Sequence, residues 1–249
     1  MDDQTTAIVI RRTEWSETSL IVQLFTRDFG RMSAIAKGAR RVKSPFEGSL
    51  DLLSVCRIVA IRKQTDALNL LTEAKLHRRF RGGQRSLDRL YAGYTIAEWL
   101  RLMTDHDDPH VELYDRAINA LGQIDGTGDV AATLLWFELQ MFRILGHGLS
   151  IDRCAECGRT FDGDPPRPMI AIDAGGIVCD DCRSRHRNVA VTPRTLQAMR
   201  YLASPDTRPP VRVADDVYAP LRAVLSRYLP TLVETTPRMG GFQPSIRGD

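Results

Sequence analysis

The sequence predicts a multidomain α+β protein: a small β-barrel, then a helical bundle, with a cysteine-rich module inserted into the bundle. Three observations predict it. Five strand-like segments crowd the first eighty residues, apolar spacing changes to the helical period after Gly82-Gly83, and four of the five cysteines form two Cys-x-x-Cys knuckles late in the chain.

A chain of 249 residues, 43% apolar and 26% charged, can bury one large core or two to three small ones. No apolar run approaches the roughly 18 residues needed to span a bilayer. The opening Met1-Asp2-Asp3-Gln4 is acidic where a secretory signal is basic and then apolar, so a cytoplasmic location and no membrane partner are expected.

The strands come first. Residues 7–12 alternate with Ile8 and Ile10 on one side, and 18–26 send Leu20, Val22 and Leu24 to one face and Ile21 and Phe25 to the other. A turn at Arg27-Asp28-Phe29-Gly30 follows, and 32–37, 52–61 and 67–76 make three more strands with no helix between them. Five strands suit an OB-type barrel, which buries its edges and commonly binds nucleic acid, and a small sandwich is the alternative that strand counting leaves open.

Helices follow Gly83. Ser86 caps a helix with Leu87, Leu90, Tyr91, Tyr94 and Ala97 on its apolar side. Asp108-Pro109 reads as a cap followed by proline at the first helical position, and Asp129 opens a third helix that ends at Gly146-His147-Gly148. Beyond the cysteines, Thr192-Pro193 and Asp215-Asp216 start two more helices. Residues 1–81 are therefore assigned to the barrel, 82–149 and 189–234 to a helical domain, 150–188 to an inserted module and 235–249 to a loose tail.

The module's chemistry rests on Cys154-Ala155-Glu156-Cys157 and Cys179-Asp180-Asp181-Cys182. Two intervening residues let both sulfurs of a knuckle turn toward one ion, and the second knuckle closes a tetrahedral Zn²⁺ sphere. Four protein ligands leave no position for water, so this zinc is expected to be structural. The 21-residue gap lies just outside the usual spacing, and two disulfides or a redox Cys-x-x-Cys are the competing readings. His147 and His186 lie nearby and are read as bystanders, and Cys56, in an apolar run, as an inert buried thiol.

Charge is uneven. Residues 1–85 carry 16 Lys/Arg against 9 Asp/Glu, a net +7, which leaves −4 on the remainder of a chain whose total is +3. Such a concentration suits a polyanion partner, with a solvated basic face as the bland alternative. Its densest part is Lys37-Gly38-Ala39-Arg40-Arg41-Val42-Lys43-Ser44-Pro45, where Lys37, Arg40, Arg41 and Lys43 stand on a loop able to follow a phosphate backbone. Arg11 and Arg31 add support, and Lys75-Leu76-His77-Arg78-Arg79-Phe80-Arg81 is a second cluster.

No catalytic residue is expected. His110-Val111-Glu112 with a later Cys-x-x-Cys resembles a zinc nucleobase deaminase, but Arg153 stands where that motif has proline and a second knuckle would fill the open metal position. There is no Gly-x-Ser-x-Gly, no Gly-x-Gly-x-x-Gly and no Gly-x-x-x-x-Gly-Lys-Ser/Thr. A zinc-ribbon regulator reading a defined DNA site is the other alternative.

Taken in order, these residues resemble one family, the bacterial recombination mediator and DNA repair proteins called RecO. Trp15-Ser16-Glu17-Thr18-Ser19-Leu20 through Gly30-Arg31 is similar to the family's opening hairpin, Ala36 to Arg41 with Lys43-Ser44 to its basic signature, and the knuckles with Gly158 and Gly175-Gly176 to its zinc module. The resemblance covers nearly the whole chain. It implies an OB fold, a helical domain and a structural zinc, and a non-catalytic protein that binds single- and double-stranded DNA in the nucleoid and anneals complementary strands. It further implies work with RecR, and with RecF in some settings, to replace single-stranded DNA-binding protein by the recombinase RecA, the helical domain receiving that binding protein's acidic-hydrophobic tail. Carried over, Lys37, Arg40, Arg41 and Lys43 would hold phosphates, Cys154, Cys157, Cys179 and Cys182 would hold zinc, and Trp15, Phe25 and Phe29 are candidates for base stacking against a competing role in packing. The chain departs from the family at 230–239, which is less basic than usual and puts a C-terminal contribution to binding in doubt.

Overall fold

A computed structural model describes residues 2–46, 48–63 and 68–244. Five strands, β1 (Asp2–Glu14), β2 (Leu20–Thr26), β3 (Gly30–Ala36), β4 (Val55–Ile61) and β5 (Asn69–Arg78), close into a barrel in the order β1-β2-β3-β5-β4. Neighbours are antiparallel except β3 and β5, which pair in parallel over three residues from Ala34↔Asn69 to Ala36↔Leu71. This is the OB arrangement, and the sandwich alternative falls away because the sheet closes on itself. Residue 67, expected to open the fifth strand, lies outside the described residues.

The barrel interior follows the period of two. Leu20, Val22 and Leu24 face inward with Met32, Ala34 and Ala36, and with Cys56, Ile58 and Ala60. From β1 the inward residues are Ala7 and Val9, so Ile8 and Ile10 lie on the opposite face and are nevertheless buried. A bulge between Val9 and Arg11 interrupts that strand's register. Phe25 is also fully buried on the outside, with its ring 6.1 Å from that of Tyr114.

Helices provide that outer cover. α1 (Leu87–Met103) packs against β1 and against α2 (Val111–Asp125), and compactness groups both helices with the barrel in one unit, Met1–Asp125. The sequence-based boundary after residue 81 marks the end of the strands, whereas the compact unit ends 44 residues later because the barrel's exterior is itself apolar. Gly93 permits the approach of α1: a Cβ there would stand 2.6 Å from Leu53 Cδ1 and 2.9 Å from Phe80 Cζ.

The Ser86 side chain accepts the Arg89 amide, as expected of the cap. α2 differs, since it begins at Val111 with Tyr114 N–H bonded to the His110 carbonyl, and Asp108-Pro109 lies outside it. The reason is that residues 105–107 are held against β3: Arg31 N–H donates to Asp105 O and Asp107 N–H donates to Arg31 O.

The second unit, Gly126–Asp249, contains α3 (Val130–Ile144), α4 (Pro193–Ala203) and α5 (Asp215–Tyr228), packed on one another. Asp129 caps α3 through the Ala132 amide, and Thr192 caps α4 through the Thr195 amide with Pro193 behind it. α5 starts at Asp215 as expected, although Ala214 occupies the cap position and the two aspartates instead fill the first turn. A buried ion pair joins α3 to α5, Arg222 Nη1 to Glu138 Oε2 at 2.7 Å. Between α3 and α4 lies a small antiparallel sheet of β6 (Met169–Ala171), β7 (Gly176–Val178) and β8 (Asn188–Ala190), ordered β7-β6-β8. Among the described residues no helix is long and apolar enough to cross a membrane.

Candidate metal centre and nucleic-acid interface

The four knuckle cysteines converge, with all four sulfurs within 4.8 Å of one another. A tetrahedron with metal–sulfur arms of about 2.3 Å has edges of roughly 3.8 Å. Cys157 Sγ and Cys179 Sγ stand 3.8 Å apart, and no disulfide joins any of the cysteines. Each knuckle is shaped by its own backbone. Gly158, at φ 75°, turns the chain so that its amide reaches Cys154 O, while Cys182 N–H and Arg183 N–H both return to Cys179 O. β7 carries the second knuckle to the first, where Ala155 N–H donates to Ile177 O and Cys179 N–H to Cys154 Sγ at 3.4 Å.

The electrostatics favour a cation. Burial opposes ionisation of Cys154, but amide donors from Cys157, Cys179 and Glu156 overcome it and bring that thiol down to about 6. Contact with the Cys179 thiol, reinforced by burial, pushes Cys182 up to about 12. A divalent ion bound here would displace a proton from each thiol it takes as a ligand. His186 is engaged elsewhere, with Asp173 at 2.9 Å and Glu156 at 3.3 Å, and His147 lends its backbone carbonyl to the Tyr228 hydroxyl. Neither joins the cluster. In the deaminase-like motif, His110 binds Asp108 and Glu112 binds Arg116, both within the other compact unit. Cys56 is buried in the barrel, which pushes its thiol up to about 12 and leaves it inert.

The basic loop is sorted by the fold into free and engaged cations. Lys37, Arg41 and Lys43 are exposed and, among the described residues, form no ion pair or side-chain hydrogen bond. Arg40 instead pairs with Glu14 at 3.1 Å, donates to Ser16 O, and through its amide bonds Thr18 O, which fastens the loop to the β1–β2 hairpin. Gly38, at φ 72°, makes the turn beside Arg41. Arg11 is exposed on β1. Arg31 is drawn inward: its Nε donates to Thr104 O at 2.9 Å, and burial lowers its pKa.

The aromatic candidates separate in the same way. Phe25 is fully buried on the barrel's outer face beside Tyr114, Phe29 is covered by Arg62 at 4.9 Å from its ring, and Trp15 is 64% exposed at the hairpin end. In the second cluster, Arg78 donates to Ile118 O and Arg79 to Gly48 O, while Lys75 and His77 remain exposed. Sequence reading did not single out Arg57, which the barrel sets directly opposite Lys75. The register of β4 against β5 carried that signal, and spacing within a single strand could not supply it.

Comparison with known proteins agrees across the chain. Residues 1–80 match the Recombination protein O N terminal family and residues 84–239 the Recombination protein O C terminal family. The chain is 49% identical to a DNA repair protein RecO of Rhodopirellula baltica, covering 96% of this chain and 97% of that one. It is also 36% identical to a DNA repair protein RecO of Rubrobacter xylanophilus over 79% of each chain, and 36% identical to one of Aromatoleum aromaticum over 68% of this chain and 66% of that one. A closed five-stranded barrel, a helical C-terminal region and a four-cysteine cluster, matched by family over both halves, mean that this chain belongs to the RecO family of DNA repair proteins.

Proposed function

We propose that this chain is a non-catalytic recombination mediator that binds single- and double-stranded DNA and anneals complementary strands. The observation that carries the reading is the set of three exposed cations, Lys37, Arg41 and Lys43, unpaired among the described residues, on one barrel loop of a DNA repair family member. Annealing requires screening of two phosphate chains while the bases stay free to pair, and contacts to phosphate provide this without reading sequence. Arg40, Arg11 and Arg31 rank behind them, Arg40 because it must first leave Glu14 and Arg31 because it is half-buried. Trp15 supplies the exposed ring on which a base can stack.

Zinc suits the four-thiolate cluster, and its role is structural because the protein supplies all four ligands. Cys154, Cys157, Cys179 and Cys182 would hold it, with residues 150–188 as the module it organises. We assign the acidic-hydrophobic tail of single-stranded DNA-binding protein to a groove of about 400 Å³ between α3 and α4, floored by Leu139, Phe142, Leu149 and Met199 and flanked by Arg143, with Arg200 on its wall already engaged by Asp152 and Asp164. RecR, RecF and, downstream, RecA are the partners this role implies, in the cytoplasm at the nucleoid.

The test is annealing of complementary strands, bare or precoated with single-stranded DNA-binding protein. A Lys37→Ala/Arg41→Ala/Lys43→Ala variant should slow both reactions and lower the salt slope of strand binding by about 0.7 per lost contact. Arg143→Ala should slow annealing of the coated strands alone. Wild-type protein that fails to anneal either substrate would overturn the reading.

A further inference from the structure

We propose that the outer face of the barrel at β4 and β5 is a second phosphate-binding track, separate from the Lys37–Lys43 loop, so that one barrel holds two nucleic-acid strands at once. The inference rests on the DNA-binding reading above. Its starting point is the cross-strand pair Arg57↔Lys75. Both side chains are exposed, and among the described residues neither has an ion pair or side-chain hydrogen bond. Like charges directly opposite each other on neighbouring strands weaken a sheet. An anion between them converts that repulsion into two attractions, and a phosphodiester suits because it offers two oxygens on a single negative charge.

The surroundings have the shape for it. Arg57 and Lys75 line an open cleft of about 580 Å³ that Ser44 and Pro45 also wall. The wall is fixed in place, since Ser49 Oγ donates to Ala74 O at 2.9 Å and Phe46 and Leu50 insert into the barrel core. Ser44 Oγ accepts the Phe46 amide, which leaves its own hydroxyl proton for a phosphate oxygen. Because Ser44 and Pro45 directly follow Lys43 in the chain, the two cationic surfaces adjoin along this wall. Glu73 also lines the cleft and opposes an anion, so it limits affinity there. Weak, reversible grip on one of two strands suits annealing, in which the strands must slide into register.

Nearby cations are accounted for differently. Arg79 contacts Asp51 and Gly48 O, and Arg78 serves the Ile118 carbonyl. The barrel therefore spends these arginines on its own loops and leaves Arg57 and Lys75 facing solvent together.

The experiment uses the full chain, limiting in concentration, with two non-complementary oligonucleotides carrying a donor and an acceptor dye. Wild type should bring both onto one protein and give energy transfer. Arg57→Ala/Lys75→Ala should lose that transfer, hold the first strand within about twofold, and lower the overall salt slope by about 1.4 for two lost single-strand contacts. Glu73→Gln should raise the transfer. Circular dichroism matching wild type would certify each fold. Unchanged transfer and slope in Arg57→Ala/Lys75→Ala would overturn the second track, as would wild type that never holds two strands. Weakened first-strand binding by the Lys37→Ala/Arg41→Ala/Lys43→Ala variant in the same assay would show that the primary DNA-binding reading survives that failure.

Discussion

The barrel unit and the cysteine module of the second unit reach order by different physics. In the barrel, fifteen buried residues form one cluster, thirteen from the five strands with Phe46 and Leu50 from the loop between β3 and β4, and the outer face adds Ile8, Ile10 and Phe25. Such burial stabilises by roughly 25 cal/mol per Å² of apolar surface. The module's cluster contains five buried residues, three of them cysteines and the others Ala171 and Val178, with Phe161, Met169 and Ala174 partly buried against them. Segments so poor in apolar volume fold when a metal supplies the missing free energy. Apolar side chains fold the barrel, whereas the proposed zinc would fold the module through the four thiols able to hold it.

The sharpest way to break the comparison is to remove the metal. Cys154→Ser, or chelation, should cost the module most of a structural zinc's binding free energy, about 10–16 kcal/mol in small zinc domains. Hydrogen exchange should then rise across 150–188 while β1 to β5 keep their protection, and metal analysis should fall below one ion per chain. Stoichiometric zinc in Cys154→Ser would place the ion elsewhere. Loss of protection in the barrel strands would mean that the two regions do not fold by separate means.

A smaller effect probes the barrel side. At Gly93 a methyl group would meet Leu53 and Phe80 inside van der Waals contact, and both are side chains able to shift in part. Gly93→Ala should therefore destabilise the barrel unit by about 1–3 kcal/mol, as overpacking does, without changing zinc content. Urea unfolding followed by Trp99, which is buried on the same helix, reads the shift. A stability equal to or above wild type would show that α1 is not pressed against the barrel at this point.

The same contrast explains what the sequence disclosed. Ser86, Asp129 and Thr192 cap helices through amides three residues ahead, and each knuckle closes within four residues, so local spacing revealed them. The barrel's inward residues followed from alternation in β2, but β1 departed because both of its faces are buried and alternation then carries no sign. Contacts between distant residues were illegible. Glu138 sits in an apolar stretch of α3 because Arg222, 84 residues away, neutralises it at 2.7 Å. The sorting of cations was equally hidden: Arg31 and Arg40 look no different in sequence from Arg41, yet Thr104 O and Glu14 engage them. Composition located the basic surface, and tertiary contacts decided which of its charges are free.

The smallest effect is expected where the two modes of folding meet within the second unit. Arg200 of α4 bonds Asp152 at 2.8 Å, Asp164 at 2.6 Å and the Ile151 carbonyl at 3.0 Å, and so fastens the cysteine module to the helices. Its side chain is 35% exposed, so solvent screening limits the contribution of these bonds to about 0.5–1 kcal/mol. Arg200→Gln should cost that much and leave the metal in place. The acid side supplies a further check, because the Arg200 guanidinium holds Asp164 below its ordinary carboxylate range. With the folded pKa depressed, the contribution is complete above the unfolded value of about 3.9 and is lost as pH falls through the folded one. Release of the proposed zinc by thiolate protonation would also destabilise the module in acid, but in wild type and variant alike. The informative quantity is therefore the difference between Arg200→Gln and wild type, which should shrink as Asp164 takes up its proton. A difference that stays constant down through that range would assign the Arg200 contribution to Asp152 or to the backbone carbonyl instead.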